Sequence, residues 1–418
     1  MSEPAHEPTT PGIGVVLAGG AARGAYQVGV LEHIVERVAD DLGYEVPLDI
    51  LCGTSVGAMN ACMMAAHADQ PRGRVAHMSA VWTGLKINEL LRPAAQSMFD
   101  FARGLVGRGT SILETGALLD PAPLAGLLSR AIPFERIDAH LRAGRIQAVT
   151  VSATQLTSGR SVVFVQRRRA HPIPWPESHQ VLPRAVRLRA VHTLASSALP
   201  LLFPAVCIDG RYYSDGGLLQ NIPLSPARRL GARALIIINP KHAPTAPVQR
   251  AGGEPHRMPA EAPPSALFLL GKTLNALLVD RIDNELDRFE KINAILDAGT
   301  RIHGPTFNEA LNRELGYDAN AGLQRIEVVH VRSSLNIPIL AAEYVRHPKF
   351  HVPGVLGRMM KHVANGENIS DADLLSYVLF DGEFAGRLIE IGRMDAQAHH
   401  ERLCGLVDSA VKRHREAE

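Results

Sequence analysis

The residues best placed to do chemistry are those of Gly53-Thr-Ser55-Val-Gly57, a Gly-x-Ser-x-Gly that follows a short apolar run over residues 48–52 and leads into a small-residue, helix-favouring stretch over 58–66. Strand, sharp turn and helix in that order form the local grammar of a nucleophile elbow. A serine at the apex of such a turn is held on strained backbone, and the residues two before and two after it pass too close for a Cβ, hence Gly53 and Gly57. The turn aims the hydroxyl at the amino end of the next helix, where free N–H groups favour developing negative charge. Ser55 is the candidate nucleophile.

A serine needs a base and a place for the oxyanion. Upstream, an apolar run over 13–17 enters Ala18-Gly19-Gly20-Ala21-Ala-Arg23-Gly24, and apolar residues then recur at helical spacing over 25–38. The glycines loosely imitate a dinucleotide fingerprint, which requires an acid at the end of the second strand. That end is Gly53-Thr-Ser55, with Asp49 at the strand's beginning, so anion cradling is the reading adopted: Gly19, Gly20 and Ala21 supply main-chain donors for a tetrahedral oxyanion. Arg23 in that turn either adds a fixed positive charge or braces the loop, and bracing is the preferred reading. Further on, Asp209-Gly210 sits between two β-prone runs and reads as a hairpin turn, whereas Asp215 falls at the far end of the second run, before Gly216 and Gly217, where the hairpin needs no carboxylate. A carboxylate serves as the base if desolvation brings its pKa near neutrality.

The elements that must position these residues are those of an α/β fold. Strands are expected over 13–17, 48–52, 147–153, 161–166 (turning at Thr157-Ser-Gly159), 205–208, 211–214, 234–239 and 324–331, with helices over 25–38, 82–91, 118–131, 190–199, 265–298, 371–377 and 383–398. Parallel strands joined by helices call for a sheet covered on both faces. The expected layout is a tail over 1–11 that does not fold, a catalytic domain over 12–335 with a Pro/Gly-rich flexible loop at 240–264, and a helical C-terminal extension over 336–418.

With 44 Lys plus Arg against 42 Asp plus Glu, the formal charge is only +2, which excludes a general nucleic-acid field. The first eleven residues lack an apolar core, so no secretory signal is expected, and the most apolar helical run, 266–279, is too short to span a bilayer. Cys52, Cys62, Cys207 and Cys404 read as scattered, with no C-x-x-C pair and no nearby histidine at ligand spacing, so neither zinc nor a disulfide framework is expected, and a cytoplasmic location follows. The basic cluster Arg167-Arg-Arg and the apolar, Pro-bearing tip reaching Trp175 suit peripheral contact with an anionic membrane; a solvated loop is the alternative reading.

Taken together, Leu17-Ala-Gly19-Gly20-Ala-Ala-Arg23-Gly24, Gly53-Thr-Ser55-Val-Gly57, Ser196-Ser-Ala-Leu-Pro-Leu-Leu-Phe-Pro204 and Asp215-Gly216-Gly217 with Asn221-Ile-Pro resemble the patatin-like phospholipases. The resemblance implies a three-layer α/β/α fold with a mainly parallel central sheet and a lipid acyl hydrolase that needs no cofactor or metal. It also implies a Ser55–Asp215 dyad without histidine, a glycine-loop oxyanion hole, and a phospholipid or other acyl-lipid substrate. Ala21 stands where the family usually has a third glycine, a methyl that is tolerable if the backbone keeps a negative φ. Rival readings are a Ser55–Asp215–His330 triad, acyl transfer to an acceptor other than water, and a non-catalytic lipid-binding module.

Overall fold

The computed structural model describes residues 12–92, 117–168, 180–242, 282–316, 322–365 and 369–417. The expected tail, most of the loop beginning at Pro240, the first part of the helix expected from residue 265 and the tip of the basic segment lie outside these residues.

Their centre is a nine-stranded sheet. Its strands are β1 (Ile13–Leu17), β2 (Ile50–Thr54), β3 (Ala148–Gln155), β4 (Arg160–Arg167), β5 (Val181–Ala185), β6 (Val206–Ile208), β7 (Arg211–Asp215), β8 (Ala234–His242) and β9 (Glu327–Ser333). The main path runs β5-β4-β3-β2-β1-β8-β9, with β7 paired to both β3 and β6. β2, β1, β8 and β9 are parallel to their neighbours, β3 pairs in parallel with β2, and β3–β4 and β6–β7 are antiparallel hairpins. β1, β2 and the core of β8 are uninterrupted buried apolar runs, as parallel strands covered on both faces require. The chain leaves β1 toward β2 on one side and leaves β8 toward β9 on the other, so the glycine-rich loop after β1 stands at the switch point where such sheets bind ligands.

The sequence did not mark β5. Val-Leu-Pro-Arg-Ala carries Pro183, which denies a ladder donor and is tolerated here because β5 is the terminal strand. β8 runs past the expected boundary, through Pro240 to His242, after a register shift against β9. Asp49, set aside above, accepts the Ile13 N–H at 2.9 Å and ties the start of β1 to β2.

Helix α1 (Ala25–His33) continues through one π turn (Ile34–Val38) into α2 (Ala39–Leu42), which Gly43 stops with φ 74°. α3 (Val56–Ala66) is buried along its whole length, and α4 (Pro71–Thr83) packs beside it. The C-terminal helices do not stand apart: the helix Gly382–Ala398 lies along α1 so closely that a Cβ on Gly29 would collide with the Ile389 carbonyl. Asp395 on that helix is buried and accepts from the Tyr26 hydroxyl at 2.9 Å and the Ser334 N–H at 3.0 Å. Gly29→Val is therefore expected to separate the two helices and cost about 3 kcal/mol or more, by overpacking against backbone that cannot yield. A urea midpoint unchanged from the wild type would refute this contact.

Candidate active site

β2 ends at Thr54, opposite Ser152 of β3, and the chain turns at once into α3. Ser55 at the turn has φ 55° and ψ −125°, a conformation away from even the left-handed helical region, so the elbow carries the strain expected of it. Gly53 and Gly57 are both required: a Cβ on the first would strike the Gly57 carbonyl, and one on the second the Leu17 carbonyl at the end of β1. Ser55 itself is only 5% exposed.

Asp215 reaches Ser55 through strand register. β7 runs antiparallel on the same edge of β3 that β2 occupies, and Asp215 pairs with Ala153, the residue after Ser152. β2 and β7 thus end head to head along β3, which brings two side chains far apart in sequence to adjacent places. Gly216, next in the chain, packs against the Ser152 carbonyl where a side chain would not fit.

The Asp215 carboxylate is fully buried. Its Oδ1 accepts the Gly217 N–H at 2.7 Å, while Oδ2 has no hydrogen-bond partner at ordinary geometry. Burial pushes the Asp215 pKa up to about 7; the Ser55 hydroxyl, near enough to stabilise the charged form though outside the limits of an ordinary hydrogen bond, and the Gly217 N–H oppose that rise.

The Ser196–Pro204 motif braces both residues. Ser196 Oγ accepts the Ser55 N–H at 2.8 Å and donates to the Ser152 carbonyl, while the Ala198 carbonyl accepts from the Asp215 N–H (2.9 Å) and the Ser214 hydroxyl (2.7 Å). Sequence reasoning recognised the motif but not this role.

In the glycine-rich loop, Gly19 lies against Ser55 Cβ, but its N–H already donates to the Asn221 carbonyl at 3.1 Å. Of the three expected main-chain donors, that leaves the N–H groups of Gly20 and Ala21. Ala21 has φ 48°, not the negative value on which its tolerance was expected to rest, so its methyl sits on backbone better suited to glycine. That methyl is held in an apolar cluster with Leu199, Leu202, Phe203, Leu374 and Val378.

Arg23 is buried and bound from a distance: Nε donates to Ser376 Oγ at 2.8 Å, Nη2 pairs with the Asp373 carboxylate at 3.1 Å, and the guanidinium stacks 4.0 Å from the Tyr377 ring centre. All three partners lie on the helix Ile369–Val378, so the C-terminal region clamps the loop. Gly24 packs on Val56 and Trp82. Behind the loop, Trp82 Nε1 donates to Asn60 Oδ1 (3.1 Å), Asn60 Nδ2 donates to Gln27 Oε1 (2.8 Å) and the Gly24 carbonyl (3.0 Å), and Gln27 Nε2 donates to the Ala18 carbonyl (2.7 Å). Asn60 was missed; its signal was a lone amide in an otherwise apolar helix, which a buried position tolerates only with partners. Arg23→Met is expected to leave Asp373 uncompensated, cost about 3 kcal/mol, and lower ester turnover more than tenfold. Full activity in a variant with unchanged melting would exclude the clamp.

His330 sits mid-strand in β9, paired with Ile237, so β8 and β1 separate it from β2 by about 14 Å at ordinary strand spacing. The triad reading therefore has no geometric basis. An apolar cavity lined by Met59, Met63, Trp82, Leu128 and Phe380 runs beside α3, but its free volume of about 10 Å³ cannot take an acyl chain as it stands. Arg167 and Arg168 are described, but the rest of the segment to Trp175 lies outside the described residues. Among the described residues no helix is long and apolar enough to cross a membrane.

The mostly parallel sheet between helices, with a strained serine elbow under a glycine-rich loop at its switch point, makes this an α/β fold. The chain belongs to the patatin-like phospholipase family, whose model matches residues 15–228. It is 26% identical over 243 residues to an NTE family protein of Mycobacterium tuberculosis, covering 58% of this chain and 53% of that one. It is also 26% identical over 230 residues to patatin-like phospholipase domain-containing protein 7 of Mus musculus, covering 54% of this chain and 13% of the mouse protein. The match thus spans about half the length of the first relative and far less of the second. Among solved structures, human GIVD cytosolic phospholipase A2 aligns over 100% of this chain and 61% of its own at 14% identity, with a TM-score of 0.43.

Proposed function

We propose that this protein is a lipid acyl hydrolase that cleaves carboxylic esters with Ser55 as nucleophile and Asp215 as base. The observation that carries the reading is the head-to-head meeting of β2 and β7, which sets a strained serine beside a buried carboxylate with one oxygen free. Ser55 Oγ attacks the ester carbonyl as its proton passes to Asp215 Oδ2, and the oxyanion takes the N–H groups of Gly20 and Ala21. The proton then goes to the departing alcohol, leaving an acyl-enzyme. Water, deprotonated by the same carboxylate, releases the fatty acid and restores the serine.

Apolar surface beside the loop supports a lipid substrate. Leu201 is 51% exposed on backbone with φ 69°, its carbonyl held by the Leu118 N–H, and Leu118 is 37% exposed. Two large aliphatic side chains fixed outward next to the Ala21 cluster suit acyl chains or a lipid surface.

Because the base must be ionised, kcat/KM should rise with pH through an acid limb near the Asp215 value of about 7 and level off above it. A profile flat from pH 5 to 8 would remove Asp215 from the role. The function is tested by measuring fatty acid released from a panel of phospholipids, lysophospholipids and neutral glycerides. Release that disappears in Ser55→Ala is expected, and no release from any member of the panel would overturn the proposal.

A further inference from the structure

We propose that Asp41, His400 and Cys404 form a zinc site that ties the C-terminal helix to the end of α2. His400 and Cys404 stand four residues apart on one face of the helix His400–Ala417. The sequence expectation that no cysteine has a histidine at ligand spacing therefore does not hold. Asp41 reaches the same point from α2, and one ligand atom from each of the three residues lies within 4.8 Å of the others.

Two of the three separations match those a tetrahedral zinc ion imposes. Zinc–nitrogen and zinc–sulfur bonds of about 2.0 and 2.3 Å place the two ligand atoms about 3.5 Å apart, and a zinc-bound carboxylate oxygen lies about 3.3 Å from the nitrogen. His400 Nε2 is 3.5 Å from Cys404 Sγ and 3.1 Å from Asp41 Oδ2. Asp41 is largely exposed, so its side chain is free to close the remaining gap to sulfur.

His400 is also oriented as a ligand. Its Nδ1 lies 3.0 Å from His33 Nε2 on α1, a partner that fixes the ring and directs Nε2 at the carboxylate and the sulfur. In the tautomer that donates Nδ1–H to His33, Nε2 carries the lone pair a metal would take; in the other, Nε2–H donates to Asp41 instead. A thiolate, a carboxylate and a neutral imidazole balance the two positive charges of zinc, and the thiol proton goes to solvent on binding. Nitrogen and sulfur donors favour zinc over magnesium or calcium, and water completes the fourth position.

The test uses full-length protein without a polyhistidine tag, treated with chelator and titrated with Co²⁺, whose absorption reports both tetrahedral geometry and thiolate ligation. We expect one Co²⁺ per chain with a thiolate charge-transfer band, displaced by one equivalent of Zn²⁺. The band should vanish in Cys404→Ser, persist in Cys207→Ser, and need at least tenfold more metal in His400→Gln. Zinc should raise the melting temperature of the wild type and not of His400→Gln, with circular dichroism showing each variant folded. No thiolate band in the wild type, or a band that survives Cys404→Ser, would overturn the site.

Discussion

Asp215→Asn should lower ester turnover by about 10³-fold or more while making the protein more stable above neutral pH. The first effect follows from removing the carboxylate proposed to take the Ser55 proton. The second follows from burial. The folded-state pKa of about 7 lies above the ordinary 3.8, so the folded state holds a proton that the unfolded chain releases between those values. Stability therefore falls as pH rises from about 4 to about 7, and the whole cost remains above that range. At 1.36 kcal/mol per pKa unit the cost has an upper bound of roughly 4 kcal/mol. Asparagine can keep the bond from Gly217 and carries no charge. Thermal melts of wild type and Asp215→Asn should separate at pH 8 and converge toward pH 4. A variant less stable than wild type at pH 8 would show that the carboxylate is not held at a cost.

Ser55→Ala should remove activity by about 10⁴-fold or more, since it deletes the hydroxyl proposed to form the acyl-enzyme. It keeps a Cβ on the strained backbone, whereas Ser55→Gly removes both nucleophile and strain. Ser55→Gly should therefore be the more stable of the two by about 1 kcal/mol, the low end of what such backbone stores. Equal urea midpoints would mean that the turn holds no recoverable strain. Residual turnover in Ser55→Ala above a hundredth of wild type would point to another nucleophile.

What could be read in advance depended on how local the cause was. The elbow was legible because Gly53, Ser55 and Gly57 are dictated by contacts within one turn, and most strands because β-branched runs announce themselves. Asp215 was legible only by exclusion, since the hairpin already had its turn at Asp209-Gly210. Its meeting with Ser55 depends on β7 continuing the edge of β3 where β2 leaves it, which no local pattern encodes. The bracing around the site was hidden for the same reason. For Arg23 the bracing was expected but not its partners, because Asp373, Ser376 and Tyr377 arrive from some 350 residues away, and Ser196 reads as one residue of an expected helix until the Ser55 N–H meets it. Ala21 went the other way: its type suggested negative φ, and the need to fold the loop over Ser55 prevailed. His400 and Cys404 are an i, i+4 pair in the sequence itself, so the expectation that no cysteine has a histidine at ligand spacing fails on a purely local pattern.

The central claim is that Ser55 is activated by Asp215. The rate of fluorophosphonate labelling, followed from pH 5 to 9 with the modified residue mapped by mass spectrometry, tests it most directly. The account predicts an adduct on Ser55 whose rate of formation climbs through pH 7 and is lost in a folded Asp215→Asn. An adduct on another residue, or wild-type labelling rates in Asp215→Asn, would contradict it.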